Sequence, residues 1–169
     1  MSAYEEHQRA AEQIVARCAI LTLSDTRDAT TDKSGARIRE LLAADGHAVT
    51  HYEVLRDEPD PLAAKLAALV ARDDVDVILT NGGTGVSRRD ATVPVIERVI
   101  ESPLPGFGEL FRMLSWEQIG SGAMLSRALG GIAQGKVLFA MPGSTKGVEL
   151  AVTKLILPEI RHLLRELRK

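Results

Sequence analysis

The 169-residue chain contains one cysteine, one tryptophan, two tyrosines and three phenylalanines. The single Cys18 excludes an internal disulfide framework and a thiolate zinc site. Its four histidines, His7, His47, His51 and His162, are dispersed and lack metal-ligand spacing. No segment approaches the roughly 18 consecutive apolar residues of a membrane helix. Basic charge is not in excess either: 21 Lys and Arg stand against 23 Asp and Glu, for a formal net charge of -2. A broad nucleic-acid surface needs a basic footprint, so none is expected. The opening MSAYEEHQRAAEQ is polar and carries acids, which argues against a secretory signal and makes a reducing cytoplasm the expected compartment. The hydrophobic fraction, 45%, is that of an ordinary packed globule. The length suits one domain.

What the chain does have is 14 glycines and a regular alternation of apolar runs and amphipathic segments. Residues 3–16 are weakly helix-compatible and form a predicted helical extension, 1–16, ahead of a domain at 17–169. RCAILTLS (17–24) reads as a buried strand, followed by the polar loop 25–32. A helix from Ser34 to Ala44 carries Ile38, Leu41 and Leu42 at helical spacing and stops at Gly46. A second strand spans His47 to Leu55. Pro59 and Pro61 open a helix running to about Arg72, since proline fits a first helical turn. Val75 to Thr80 is a third strand, and Pro94 to Glu101 a further helix. Residues 120–135 suggest a hairpin or short strands, and Lys136 to Ala140 is another strand. A final helix from Thr145 to Arg168 is expected to bend near Pro158. Strands joined by helical crossovers predict a single-domain three-layer α/β/α fold with a mostly parallel central sheet.

The chemistry concentrates where strands end. In VDVILTNGGTGVSRRD a buried strand runs straight into Asn81-Gly82-Gly83-Thr84-Gly85, and open α/β sheets bind ligands outside the carboxyl ends of their strands. Backbone N–H groups of such a loop can cradle phosphate. The loop lacks the Lys and Ser/Thr of a P-loop and the third glycine of the dinucleotide fingerprint. Asp90 beyond it reads as a helix cap or as a metal or phosphate-site carboxylate. Arg88 and Arg89 read as phosphate partners or solvated charges. Parallel pairing would bring Ser24 and Asp25, after the first strand, and Asp57, after the second, to the same edge. Pro142-Gly143-Ser144 offers a second anion turn with Lys146 nearby, or a plain capped connection. Cys18 is expected to be buried. Trp116 is either core or interface. Ser126 has no base partner in the sequence, so it is not read as a nucleophile.

Together these segments resemble the MoaB/MogA family of molybdenum cofactor biosynthesis proteins. The resemblance runs from about Arg17 to Leu164. It is carried by LTLSD (21–25), DKSG (32–35), LTNGGTGVSRRDAT (79–92), PGFGELFRMLS (105–115), LSRALGG (125–131) and LFAMPGSTKG (138–147), with the FRMLSWEQIG and AMPGSTK runs nearer the MoaB branch. It implies a MogA-like molybdopterin-binding fold and adenylylation of molybdopterin by ATP and Mg²⁺, releasing pyrophosphate. The family's two activity-linked aspartates match Asp57 and Asp90, which the resemblance makes the catalytic and Mg²⁺-ligating pair. Ser24, Asp25, Asn81, Gly82, Gly83, Thr84, Gly85, Ser126, Arg127, Pro142, Gly143 and Ser144 become the expected substrate and phosphate contacts. The retained Arg89-Asp90 pair favours a working enzyme over a catalytically weak carrier of the same fold. Val93-Pro94 departs from the Pro-Glu of many relatives, so no role falls to an acid there. Relatives form trimers and the MoaB branch hexamers, so a homo-oligomer is expected. Transient contact with other cofactor-biosynthesis proteins is also expected, and neither membrane nor nucleic-acid partners are.

Overall fold

The computed structural model describes residues 3–88 and 90–169. Six strands form one sheet: β1 (Arg17–Leu23), β2 (Ala48–Leu55), β3 (Val77–Asn81), β4 (Ser102–Pro103), β5 (Leu129–Ala133) and β6 (Lys136–Met141), in the order β2-β1-β3-β6-β5-β4. β2, β1, β3 and β6 pair in parallel, while β5 lies antiparallel to both β6 and β4. The helices are α1 (Ala3–Ala11), α2 (Lys33–Ala44), α3 (Pro59–Val70), α4 (Thr92–Val99), α5 (Pro105–Ile119), α6 (Thr145–Ala151) and α7 (Leu157–Leu167). The expected three-layer, mostly parallel architecture is what the chain adopts.

The central strands are apolar throughout because both faces are covered, and their side chains alternate between the layers. Cys18 and Ile20 of β1, Val77 and Leu79 of β3, and Val137, Phe139 and Met141 of β6 pack with α2, α5, α6 and α7. Ala19, Leu21 and Leu23 of β1, with Ile78, Leu138 and Ala140, face α3 and α4 through Leu62, Leu66, Val95 and Ile96. Cys18 is fully buried, and desolvation pushes its thiol up to about 12.

Several boundaries differ from the sequence reading. The N-terminal helix ends at Ala11, and Ala16 is already paired across to Ala48 beside β2. The 120–135 segment resolves into a 3-10 turn at Gly120–Leu125 and the strand β5, which hairpins into β6. The two-residue β4 was missed, being too short for any periodicity. The last helix is interrupted at Val152–Ile156 by a π-helical stretch just before Pro158. There the Leu157 N–H bonds Val152 O and the Thr153 hydroxyl takes Glu149 O at 2.7 Å. Proline has no N–H to continue the α pattern, and a wider turn just before it absorbs the mismatch. Among the described residues, no helix is long and apolar enough to cross a membrane.

The amino end of the sheet is tied by a charge cluster that hydropathy could not reveal. Asp76 accepts from the Arg17 backbone N–H and Nε at 2.9 Å each, from Arg17 Nη2 at 2.8 Å and from Arg168 Nη2 at 3.2 Å. Burial would raise the Asp76 carboxyl, but the Arg17 hydrogen bonds outweigh it and hold it down to about 2. A carboxyl held below its ordinary value stabilises the fold above that ordinary value, and the benefit disappears as pH falls toward the folded one. Both arginines are partly solvated, which screens the pair. Asp76→Asn is therefore expected to lower urea stability by about 1–2 kcal/mol at neutral pH. The gap to wild type should close as the pH approaches 2; a gap independent of pH would remove the ion pair as its cause.

Candidate functional site

Strand β1 connects outward to β2 on one side, while β3 lies on its other side, so the chain reverses direction across the sheet between β1 and β3. A crevice opens at such a point beyond the strands' carboxyl ends. Gly82 occupies it with φ +97°, and a Cβ there would lie 2.2 Å from Leu23 O. Its N–H donates to Met141 O at 3.0 Å, tying the end of β3 to that of β6. Gly83 follows at φ +62°, where a Cβ would fall 2.2 Å from Thr92 Oγ1 and 2.6 and 2.7 Å from the two Asp57 carboxylate oxygens. Glycine is thus required for the loop to cross over β1 and for Asp57 to approach it.

Asp57 comes from the turn after β2, delivered to this edge by the parallel β1–β2 pairing. Its Oδ1 accepts from the Ala91 N–H at 3.4 Å, and its own N–H donates to Asp25 Oδ1 at 3.4 Å. Asp57 is half-buried, and its carboxyl is raised, first by desolvation and then by the charges of Asp90 and Asp25; the Ala91 N–H and the Thr92 hydroxyl pull the other way. Asp90 does not cap α4, whose N-cap is Ala91 with no side-chain bond. Instead Asp90 Oδ2 accepts from the Ser87 N–H at 2.8 Å, and a Cβ on Gly85 would lie 2.8 Å from the same oxygen. The carboxylates therefore lie against the glycine loop, Asp57 at Gly83 and Asp90 at Gly85. Arg88 is exposed, and Arg89 lies outside the described residues.

Arg127 reaches this loop from the segment ahead of β5. Its guanidinium donates to Asp90 O at 3.0 Å, to Thr84 O at 3.4 Å and to Gly85 O, and its backbone N–H also meets Thr84 O. It fastens both ends of the 85–90 turn from behind. Ser126 Oγ accepts from the Ala128 N–H at 3.4 Å and so helps fold its own turn.

Two features of the floor escaped the sequence reading. Asp32, noted only within a family segment, has a fully buried carboxylate that caps α2 at the Gly35 N–H (3.0 Å) and accepts from Thr22 Oγ1 (2.5 Å) and the Tyr52 hydroxyl (2.9 Å). Asn81 Nδ2 donates to Thr22 Oγ1 at 2.8 Å, which extends the chain to the end of β3. Burial, and then the bond to Asp32, push the Tyr52 phenol up to about 12. The other feature is Arg27, whose Nη1 donates to Gly143 O at 2.9 Å. An isolated Asp in a polar loop and an Arg among turn formers carry no periodic signal. Ser24 Oγ accepts from the Thr26 and Arg27 N–H groups, while Asp25 is exposed at the rim. Pro142 leads into the turn, where Ser144 Oγ caps α6 through the Gly147 N–H at 3.1 Å and Lys146 is exposed. A groove of about 840 Å³ between α5 and α6, lined partly by Ser144, Lys146 and Ile119, opens beside it. A larger space of about 900 Å³ lies between α1 and α7, lined in part by Asp45, Arg161 and His162. No strand end enters it, and its Asp45 and Arg161 are already ion-paired to each other.

Among the described residues no cluster of three His, Cys, Asp or Glu could hold a metal unaided. Two half-open carboxylates beside a bare glycine loop suit Mg²⁺, which takes one or two carboxylates and fills its shell with ligand phosphates and water.

Fold and strand ends together define an α/β domain whose candidate site lies at its sheet's carboxyl edge. The model of the molybdenum cofactor biosynthesis domains, described as a probable molybdopterin binding domain, matches residues 19–162, and the chain belongs to that family. It is 50% identical over 166 residues to molybdenum cofactor biosynthesis protein B of Halalkalibacterium halodurans, covering 98% of this chain and 97% of that one. A crystal structure of a molybdenum cofactor biosynthesis protein B superposes with TM-score 0.90 at 50% identity, over 92% of this chain and 97% of that one. The tungsten cofactor synthesizing protein MoaB of Pyrococcus furiosus superposes with TM-score 0.82 at 31% identity, over 92% and 98%.

A raised carboxyl stabilises a fold only while protonated, and ionisation at neutral pH costs stability. Asp57→Asn is therefore expected to melt at a higher temperature than wild type at pH 7 in Mg²⁺-free buffer, with the difference vanishing below the ordinary carboxylate range. A lower melting temperature for the variant at pH 7 would show that Asp57 is held by structural bonds rather than strained by its neighbours.

Proposed function

We propose that the chain works in molybdenum cofactor biosynthesis by transferring the adenylyl group of ATP to molybdopterin. The observation that carries this reading is that Asp57 and Asp90 both lie against the glycine loop, at the edge of the sheet where β1, β2, β3 and β6 end. The names of its relatives support the pathway. The terminal phosphate of molybdopterin attacks the α-phosphorus of ATP, one P–O bond forms, the bond to the β-phosphate breaks, and pyrophosphate leaves. Such a transfer depends on alignment and charge stabilisation rather than on a protein nucleophile, in keeping with the structural use of Ser126 Oγ.

Asp90 and Asp57 would hold Mg²⁺, which when bound supplies charge neutralisation for the departing pyrophosphate. Asp57 starts from a raised carboxyl, so it gains from a positive charge brought next to it. The main chain of Gly82 to Gly85 and the Gly143-Ser144 turn contact phosphoryl oxygens, with Asn81 and Pro142 shaping the two turns and Ser24 and Asp25 forming the rim. Arg127 acts through the loop: by holding the Thr84, Gly85 and Asp90 carbonyls it keeps Asp90 turned toward the crevice.

The chain also self-associates in this reading. Leu110, Met113, Trp116 and Ile119 recur every three residues on α5, and each is between 46% and 63% exposed; Met124 (76%) and Leu125 (53%) extend the patch. Apolar surface of this kind is seldom left open on a monomer. Another copy of this chain is its natural cover, as a trimer or a dimer of trimers.

Two experiments test these statements. Protein mixed with molybdopterin and Mg-ATP should form adenylyl-molybdopterin and pyrophosphate, and Asp90→Asn should cut turnover roughly 10²–10³-fold, the scale of a lost charge-stabilising group. Tight pterin binding without product would make the chain a carrier, and ATP breakdown without pterin would make it a hydrolase. Light scattering should return three or six chains, and Trp116→Glu combined with Met113→Glu should lower that mass; a monomeric wild type would overturn the assembly.

A further inference from the structure

The crevice is electrically divided. Asp25, Asp57 and Asp90 border the glycine loop, and Arg27 stands at the 143–144 turn on its other side. The geometry points to Arg27 as a phosphoryl-recognition residue: a guanidinium held in place by the protein on one side and offering its remaining N–H edge to an anion seated over the touching 82–83 and 143–144 turns.

Its backbone is fixed first. Ser24 Oγ accepts from the Arg27 N–H at 3.2 Å, and Asp28 Oδ1 accepts from the Thr30 and Thr31 N–H groups at 2.8 and 2.9 Å, so side-chain turns wind the loop on both sides. The side chain is fixed next, through a single nitrogen. Nη1 donates to Gly143 O at 2.9 Å and Ser34 Oγ at 3.4 Å, and lies 3.8 Å from Asp32 Oδ1. Ser34 Oγ donates to the same Gly143 carbonyl at 2.8 Å, which completes a small brace.

Asp32 does not consume the arginine's binding capacity. Its oxygens already accept from Thr22, Tyr52 and Gly35, and the 3.8 Å approach to Arg27 orients the charge without a close hydrogen bond. Nη2 and Nε make no bond within the protein among the described residues, and the side chain is 38% exposed. Gly143 brings this group to the glycine loop: a Cβ there would lie 3.1 Å from Gly82 Cα and 4.0 Å from Arg27 Nη1. A pre-oriented planar fork with a free edge suits bidentate contact with a phosphoryl group, which an ammonium cannot reproduce.

This assignment rests on reading the crevice as a phosphate-binding centre, and the test separates the two. Inorganic pyrophosphate and a simple phosphate monoester are titrated, with Mg²⁺ present, into wild type, Arg27→Lys and Arg27→Gln by calorimetry, and the Arg27 Nε–H resonance of wild type is followed by NMR. Arg27→Gln is expected to weaken one of the two anions about 10- to 100-fold, with Arg27→Lys intermediate and the Nε–H signal moving on addition of that anion. Loss confined to pyrophosphate assigns Arg27 to the nucleotide's phosphates, and loss confined to the monoester assigns it to the phosphate of the pterin. Unchanged affinities with a stationary Nε–H signal would overturn the role of Arg27 alone. A wild type that binds neither anion would overturn the crevice reading beneath it.

Discussion

The close passage of Gly82 over the Leu23 carbonyl is the constraint from which the site follows. Three parallel strands end side by side, and the chain must leave β3 without lifting away from β1. A Cβ at 2.2 Å from Leu23 O forbids any other residue in this conformation. Because the main chain stays low, the Gly82 N–H can bond Met141 O and bring the 141–144 turn against the same loop. Asp57 can then approach Gly83 from the far side. Had the loop risen by the width of a methyl group, the carboxylates and the second turn would not share a crevice.

Around that crossing the protein sets up opposed charges. The carboxylates of Asp57 and Asp90 lie against the same loop, and the Asp57 carboxyl is raised first by burial and then by the charges of Asp90 and Asp25. Arg127 works from behind on carbonyl oxygens, and Arg27 stands on the opposite wall with part of its donor set free. The buried Asp32 connects these walls to the fold, since it caps α2, receives Thr22 of β1 and Tyr52 of β2, and faces Arg27. The proposed anion site, built from main-chain groups, a few fixed cations and a metal, is compatible with the chain's formal charge of -2.

The layer order was legible in the sequence because parallel strands buried on both faces leave continuous apolar runs, as at Cys18–Leu23 and Val137–Met141. The 81–85 loop was legible as a candidate because it directly follows the apolar run of β3, and Asp57 and Asp90 became the candidate catalytic pair through the family resemblance. The interruption within the last helix was not, since the π-helical stretch follows from the N–H that Pro158 lacks and the Thr153 hydroxyl's bond to Glu149 O rather than from hydropathy. Arg127 was expected among the phosphate contacts, yet its guanidinium is turned toward carbonyls of the glycine loop. Spacing along the chain cannot register an approach between residues some forty positions apart. Arg27 and Asp32 were hidden for the same reason, as single charged residues in a loop of turn formers.

By itself the sequence determined the fold class, the strand ends where the candidate site residues lie, and membership of a family. These follow from local properties: the period of apolar residues, the placement of glycine and proline, and motifs whose order survives without coordinates. Tertiary structure alone decided which polar groups stay open at the candidate site and which hold its walls, and which apolar residues of α5 remain in solvent. Those outcomes depend on distances between elements remote in sequence, because a hydrogen bond or an ion pair is made or lost within an ångström.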